Sequence, residues 1–162
     1  MKFPTYEDRI ADARRALDIA DSEFALVPRE EAEVLIQQIE DKFVDGRGWR
    51  WWWEHLHEMD FAAFHAEDAA FLWLHQVLPV LEAQVWFVVE PCGEKLLFSV
   101  YEARAHYIQP ILEESISFEY YVVARDLSWM VGENHHGCFF TVGEPVSSRL
   151  ERVVDENPEQ WR

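Results

Sequence analysis

Residues 117–144 read SFEYYVVARDLSWMVGENHHGCFFTVGE and carry the clearest structural pattern in the chain. The runs SFEYYVVA, LSWMVGE and GCFFTVGE are rich in aromatic and β-branched residues, which favour β-strands. Arg125 and Asp126 lie in the first connection, and residues 133–137 form the second. Connections this short join antiparallel neighbours, so the stretch predicts three strands of an antiparallel sheet.

The residues immediately before this stretch predict two further strands and a helix. The runs AQVWFVVE and KLLFSVYE, on either side of residues 91–94, have the same strand-like composition and predict a hairpin. The segment ARAHYIQPILEES predicts a helix that is kinked or restarts at Pro110. A last short helix is expected over residues 147–154.

The N-terminal half predicts helices. Thr5 is placed to cap a first helix with Asp8 as its capping-box partner, and apolar residues recur at helical spacing as far as Ala20. Pro28 begins a second helix that Gly46 and Gly48 end. Its predicted buried stripe is Ala32, Leu35, Ile36, Ile39 and Phe43, and its predicted solvent face is Glu30, Glu31, Glu33, Glu40 and Asp41. A third helix is expected over residues 66–80.

Together these elements predict a single α+β domain over residues 1–162. Helices come first in the chain, and the order ββ-α-βββ follows them. We therefore expect N-terminal helices packed on a largely antiparallel sheet of about five strands.

Composition narrows the classes of function. The chain of 162 residues is 49% hydrophobic, and 31 acidic residues against 14 basic ones give a net charge of −17. This charge repels phosphate backbones and anionic lipid, so it disfavours nucleic acid and membranes as partners and favours a basic protein. No apolar run approaches the roughly 20 residues of a membrane span, and the N-terminus lacks an apolar signal core. We expect a soluble cytoplasmic protein.

Catalytic and cofactor signatures are missing from the sequence. Cys92 and Cys138 form neither a disulfide framework nor a CxxC pair, and we expect both to be small, partly buried side chains in a reducing compartment. No nucleophile elbow, phosphate-binding glycine loop or dinucleotide fingerprint is present. The sequence therefore predicts no cofactor, and it favours a binding protein over an enzyme.

The polar run Glu133, Asn134, His135 and His136 lies between two apolar strands and predicts a hairpin turn. Asn134 tolerates left-handed backbone dihedrals, and Gly137 adopts them without steric cost. Adjacent residues on a strand point to opposite faces, so the two imidazoles are expected to diverge and not to share an ion. The run is either a structural turn or a binding or catalytic loop, and no metal is predicted.

A second histidine pair, His55 and His57, is flanked by acidic residues in WEHLHEMD. On a strand the two side chains would share a face, whereas on a helix they would lie about 200° apart. The zinc-binding spacing HExxH is absent. Nothing in the spacing indicates that this pair joins His135 in one site.

Four tryptophans, Trp49, Trp51, Trp52 and Trp53, lie within five positions. So short a run fits both a helix and a strand, and its period does not separate them. Four indoles so close together cannot all point one way, so at least one is expected to be partly exposed. Exposed tryptophan beside acidic residues is typical of protein interfaces, which makes Trp51 and Trp53 candidate anchors.

The segment FEYYVVARDLSWMVGENHHG resembles an uncharacterised bacterial family with the pattern F-E-Y-Y, a later W, and E-N-H-H. The matching residues are Phe118, Glu119, Tyr120, Tyr121, Trp129, Glu133, Asn134, His135 and His136. The likeness covers residues 85–144, and the family has no assigned activity, so it implies a fold and no catalytic residues. In composition alone, the chain is also similar to bacterial toxin-immunity proteins, including the SMI1/KNR4-like superfamily.

These observations favour a non-enzymatic cytoplasmic protein-binding domain. Its most specific form is an immunity protein that neutralises a basic toxin by occlusion. The acidic charge would attract the toxin, and aromatic anchors would stabilise the contact. One alternative is a metal-dependent or histidine-based hydrolase that uses His135, His136 and Glu133. Another is a self-associating domain that forms a homo-oligomer.

Overall fold

The computed structural model describes residues 3–57, 59–115 and 118–162, and it has the expected α+β fold. Glu58, beside the histidine pair His55 and His57, and Ser117, at the start of a predicted strand, lie outside these ranges. The helices of the described residues are α1 (Tyr6–Ala16), α2 (Arg29–Phe43), α3 (Leu74–Val77), α4 (Ile108–Glu114) and α5 (Val146–Glu156). The strands are β1 (Phe24–Leu26), β2 (Phe61–His65), β3 (Gln84–Val89), β4 (Ser99–Arg104), β5 (Tyr120–Ala124), β6 (Met130–Glu133) and β7 (Cys138–Val142).

Within the described ranges the strands form one antiparallel sheet in the order β1-β4-β3-β5-β6-β7-β2. The predicted hairpin β3–β4 and the consecutive pairing of β5, β6 and β7 are confirmed. Strand β5 lies at the centre, where Tyr120 pairs with both Val89 and Glu133. The predicted number of strands was wrong, because the sheet has seven strands in these ranges and β1 and β2 were not expected.

Helices cover both faces of the sheet. Along β5, Tyr120 and Val122 face a core shared with α1, α3, α4 and α5, whereas Tyr121 and Val123 face a core shared with α2 and Trp52. All five residues of β5 are therefore buried. Burial on both faces explains why this strand has a continuous apolar sequence instead of an alternating one.

The first two helices form close to where they were predicted. The hydroxyl of Thr5 accepts the Asp8 N–H at 3.1 Å, and the Asp8 carboxylate accepts the Thr5 N–H at 2.8 Å, which completes the capping box. Helix α1 ends before the predicted Ala20, and Asp18 has a left-handed φ of 51°. Pro28 is the N-cap of α2 and not its first helical residue, and α2 ends at Phe43, before Gly46.

Two predictions about the helices were wrong. Glu40 was expected to face water, but it is 6% exposed and its carboxylate accepts the Gly48 N–H at 3.1 Å. Residues 66–80 do not form one helix, because a 3₁₀ turn at Ala70–Trp73 leads into the four-residue α3. The start of this segment pairs instead with the C-terminus, where the Glu67 N–H donates to Gln160 O at 2.8 Å.

The last helix, α5, fits its predicted position, whereas α4 begins at Ile108 and not at the predicted Ala103, which belongs to β4. A 3₁₀ turn at Ala105–Tyr107 precedes α4, and Pro110 lies in the first turn of that helix, where its missing N–H has no helical acceptor. No helix in the described part of the chain is long and apolar enough to cross a membrane. Both cysteines are free thiols, and Cys138 is partly buried as expected, whereas Cys92 is exposed.

Candidate functional site

The tryptophan run is neither an α-helix nor a strand, because Trp52–Glu54 forms a 3₁₀ turn. Trp52 is fully buried, with its ring 4.4 Å from that of Phe98 and 4.9 Å from that of Tyr121. This anchor leaves its neighbours near the surface: Trp51 is 38% exposed and Trp49 is 42% exposed. The expectation that at least one of these indoles is partly exposed is confirmed.

The polar run after β6 is a hairpin turn, as predicted. The Asn134 N–H donates to Cys138 O at 3.0 Å, and the Gly137 N–H donates to Asn134 O at 3.0 Å. The side-chain oxygen of Asn134 accepts the N–H groups of His136 and Cys138 at 2.9 and 3.0 Å. Asn134 is 8% exposed, and these hydrogen bonds of its side chain hold the turn in place. Gly137 ends the turn with a φ of 74°.

The prediction that the two imidazoles diverge was wrong. The ring centroids of His135 and His136 are 4.0 Å apart. Both histidines lie in the turn and not on a strand, so the alternation of side chains along a strand does not apply to them.

The two segments singled out in the sequence meet in space. The ring of Trp53 lies 5.7 Å from His135 and 5.5 Å from His136, and the ring of Trp51 lies 5.6 Å from His135. We call these four residues, Trp51, Trp53, His135 and His136, the tryptophan–histidine surface. The second histidine pair has other contacts: His55 stacks on Trp49 at 3.7 Å, and His57 Nδ1 lies 3.3 Å from Lys42 O.

A buried carboxylate, Glu119, holds the surface together. Its side chain is 1% exposed and accepts hydrogen bonds from the Trp53 indole N–H at 3.2 Å and from the His135 backbone N–H at 2.9 Å. The same carboxylate also contacts His135 Nδ1. The Glu119 N–H in turn donates to the carboxylate of Glu90 at 2.8 Å. Glu119 was not among the site residues predicted from the sequence. The available signal was an acidic residue inside an apolar strand run.

Beside this surface lies a cavity of about 590 Å³, bounded by α1, the end of α4, the 3₁₀ turn before α3, and the ends of β5 and β6. Asn134 and Glu119 line it as well, and so does His135, which belongs to both the cavity and the surface. Its acidic lining residues are Asp68, Glu90, Glu113, Glu119 and Glu133, and its aromatic lining residues are Tyr6, Phe71, Phe118 and Tyr120. Sequence patterns did not predict this cavity, because its walls come from distant parts of the chain.

Burial perturbs two of the cavity carboxyl groups. It raises the pKa of Glu133, although hydrogen bonds from the Tyr120 hydroxyl, at 2.9 Å, and from backbone amides of the 3₁₀ turn act against it. Burial also raises the pKa of Glu90, and the charge of Glu119 adds to that rise, whereas the Glu119 amide and His135 oppose it. Both groups therefore take up protons more readily than exposed glutamates do.

The hydrolase alternative assigned Glu133 to work with the two histidines. In the structure the carboxylate that contacts His135 is that of Glu119. Glu133 instead accepts a hydrogen bond from the Tyr120 hydroxyl, on the face of the sheet that α1 and α4 cover. In residues 3–57, 59–115 and 118–162, no group of three or more His, Cys, Asp or Glu side chains is arranged to hold a metal ion.

The fold and site define an α+β protein with helices on both faces of an antiparallel sheet and an aromatic–histidine surface beside an acidic cavity. The chain belongs to the family of unknown function DUF6756, whose model matches residues 3–154. This confirms the expected membership of an uncharacterised family and extends the match from residues 85–144 into the tryptophan-rich half. Searches of curated proteins and of solved structures give no significant match. Nothing in these comparisons supports the likeness to immunity proteins.

Proposed function

We propose that this protein is a non-enzymatic binding domain that docks a basic partner protein on the tryptophan–histidine surface. One observation carries the proposal: two segments far apart in the chain form a single aromatic surface, in which Trp51 is 38% exposed and the His135 side chain 47% exposed. Tryptophan is enriched among the residues that dominate binding energy at protein interfaces. An aromatic side chain left exposed beside a rigid turn is a suitable anchor.

The surface is ordered before any partner arrives. Glu119 holds both the Trp53 indole and the His135 backbone, and Asn134 holds the turn that carries His135. Side chains that are already fixed lose little conformational freedom on association, so more of the contact energy contributes to affinity. This preorganisation supports a docking role more than a purely structural one.

Charge supports a basic partner. A net charge of −17 attracts basic proteins at long range and raises their association rate. The same charge opposes self-association, because two copies repel each other. In its most specific form, the proposal is an immunity protein of the cytoplasm that occludes a basic toxin, and the acidic charge and the exposed aromatic side chains support this form.

The hydrolase alternative has one observation in its favour. The contact between His135 Nδ1 and the buried Glu119 carboxylate would fix the orientation of an imidazole acting as a general base. That enzyme would use Glu119 in place of Glu133. Ester or amide hydrolysis by the purified protein that is lost on His135→Asn would favour it over the binding role.

The binding role is tested by affinity capture on the immobilised protein at low salt, followed by kinetic analysis of the captured partner. We expect Trp51→Ala to raise the dissociation rate by at least about 30-fold, which corresponds to a hot-spot loss of about 2 kcal/mol. Trp49→Ala is the matched control, because Trp49 is exposed to a similar extent but stacks on His55 outside the surface. Equal effects of the two substitutions would contradict the proposal.

A further inference from the structure

The cavity beside the tryptophan–histidine surface has an unusual lining. Five acidic and four aromatic side chains line its 590 Å³, and in the described part of the chain neither Lys nor Arg is among the lining residues. The volume lies in the range of small-molecule sites, which is about 300–1,000 Å³. His135, at the rim, is the only lining side chain among the described residues that can carry a positive charge.

We propose that this cavity binds an organic cation, namely a ligand or side chain with an ammonium or guanidinium group. The faces of aromatic rings attract cations, and carboxylates form the strongest hydrogen bonds with them. Phe71 and Phe118 belong to the aromatic wall, and Glu90 and Glu133 supply carboxylates. In a cation with an aliphatic stem, the stem packs against the aromatic side chains and the charged group binds the carboxylates.

The same features disfavour an inorganic cation. Calcium takes six to eight oxygen ligands around one point, and magnesium requires near-octahedral geometry. Within the described ranges the cavity carboxylates are not grouped closely enough to hold a metal ion. The aromatic walls also offer a metal ion no ligand, whereas they pack well against carbon atoms of an organic cation.

One unpaired polar group at the cavity strengthens the inference. Ser115 lines the cavity, and its buried hydroxyl oxygen has no hydrogen-bond partner in the described residues. Carboxyl groups placed away from water are costly unless a donor or a positive charge compensates them. The buried cavity carboxylates already accept hydrogen bonds from neutral N–H and O–H groups, and a bound ammonium or guanidinium group adds the positive charge that those donors lack.

This inference goes beyond the docking role, because it depends on the cavity and not on Trp51 or Trp53. The cation has two possible sources, a free amine or a Lys or Arg side chain of the basic partner proposed above. The cavity and the surface share His135, whose backbone N–H donates to the cavity residue Glu119, so a partner docked on the surface reaches the cavity with a long side chain.

Binding should weaken as pH falls, because Glu90 and Glu133 take up protons and lose their charge. Burial raises the pKa of both groups, so this loss begins at a higher pH than for exposed glutamates. The ionisable groups that face them are Glu119, His135 and Arg50 around Glu90, Tyr120 beside Glu133, and Tyr6, Asp68 and Glu113 along the cavity walls. A bound cation favours the ionised carboxylates, so binding is accompanied by proton release.

The first test uses the unaltered protein and calorimetric titration with n-pentylamine, n-butylguanidine and n-pentanol. We expect either cation to bind at least about tenfold more tightly than the neutral alcohol. A parallel titration uses a short peptide with one central arginine and its citrulline analogue. Binding of the arginine peptide without binding of the free cations assigns the ligand to a partner side chain. If neither the free cations nor the arginine peptide binds, the proposal is wrong. It is also wrong if n-pentanol binds as tightly as the free cations.

The second test uses isosteric variants. Glu133→Gln and Glu90→Gln each remove one cavity charge while keeping a carbonyl acceptor, and each is expected to weaken cation binding by about tenfold. Glu151→Gln is the matched control, because Glu151 is exposed on α5 and does not line the cavity. An equal loss in Glu151→Gln would assign the effect to net charge and overturn the site. Trp51→Ala should remove partner binding and leave cation binding intact. Loss of one kind of binding without the other therefore shows which of the two proposals is wrong.

Discussion

Trp53 donates its indole N–H to the carboxylate of Glu119 at 3.2 Å, although the two residues are 66 positions apart in the chain. The same carboxylate accepts the backbone N–H of His135 at 2.9 Å. One buried acid therefore joins the 3₁₀ turn after α2 to the hairpin turn between β6 and β7. The geometry of the exposed surface depends on a side chain that is itself almost inaccessible to solvent.

Replacing Glu119 by alanine should destabilise the protein and loosen this surface. The change leaves the Trp53 indole N–H and the His135 amide without their acceptor, and an unsatisfied buried donor costs about 1–3 kcal/mol. We expect a loss of about 2–3 kcal/mol in the free energy of unfolding, measured by urea denaturation with an unchanged slope. Glu119→Gln keeps an acceptor and the side-chain volume, so it should lose less. Equal stability of Glu119→Ala and the unaltered protein would contradict this account.

Gly132 is required where two aromatic rings close over β6. A Cβ at this position would lie 2.4 Å from the Phe140 ring and 3.0 Å from the Tyr121 ring, and both rings are buried. Overpacking of this kind costs about 1–3 kcal/mol, and we expect Gly132→Ala to lose that much in thermal or urea unfolding.

A double-mutant cycle with Phe140→Leu provides the control for Gly132. The smaller leucine makes room for the added methyl group, so the cost of Gly132→Ala should be lower in that background. Additive costs of the two substitutions would show that the ring contact is not the cause.

Glu133→Gln should affect stability in a pH-dependent way. Burial raises the pKa of Glu133 in the folded protein, so the folded state binds more protons than the unfolded chain between the two pKa values. The contribution of this carboxyl group is therefore most favourable below its unfolded pKa and is lost as pH rises through its folded pKa. We expect Glu133→Gln to gain stability relative to the unaltered protein at neutral pH, with the gain shrinking in acid. Urea unfolding in both conditions measures this; a difference independent of pH would rule out the titration of Glu133 as its cause.

Association with a basic partner should respond to salt mainly through its on-rate. The Debye length shrinks from about 10 Å at 0.1 M salt to about 3 Å at 1 M, so long-range steering by the net charge fades over this range. Contacts of buried aromatic anchors are not screened, and the off-rate should change little. Surface plasmon resonance at several salt concentrations separates the two rates. An on-rate that ignores salt, or an acidic partner, would contradict the electrostatic part of the proposal.

Much of the fold follows from patterns that are local in the chain. The capping box of Thr5 and Asp8, the hairpin β3–β4, and the turn closed by Asn134 and Gly137 all depend on residues within a few positions of one another or on adjacent strands. Aromatic and β-branched runs sufficed to predict β5, β6 and β7. Each of these elements was expected from sequence because its stabilising contacts are near in the chain.

The elements that escaped prediction depend on partners far along the chain. Strand β2 has the weakly strand-like sequence FAAFH and is stabilised by pairing with β7, where Phe61 lies opposite Val142. The predicted helix over residues 66–80 is replaced at its start by pairing of Ala66 with Trp161. Glu40 was expected in solvent because its position on α2 looked polar, but the chain folds back and Gly48 donates to it.

The sequence alone established the acidic charge, the turn that carries His135 and His136, and the exposure of at least one tryptophan in the run. It did not establish that Trp51 and Trp53 lie against those histidines, that Glu119 is the carboxylate between them, or that a cavity with acidic and aromatic walls opens beside them. The physical reason is the distance along the chain over which each kind of interaction acts. Hydrophobic period, capping and turn chemistry act over a few residues, whereas a site assembled from α1, α4 and two strands exists only once the whole sheet has paired and both of its faces have been covered.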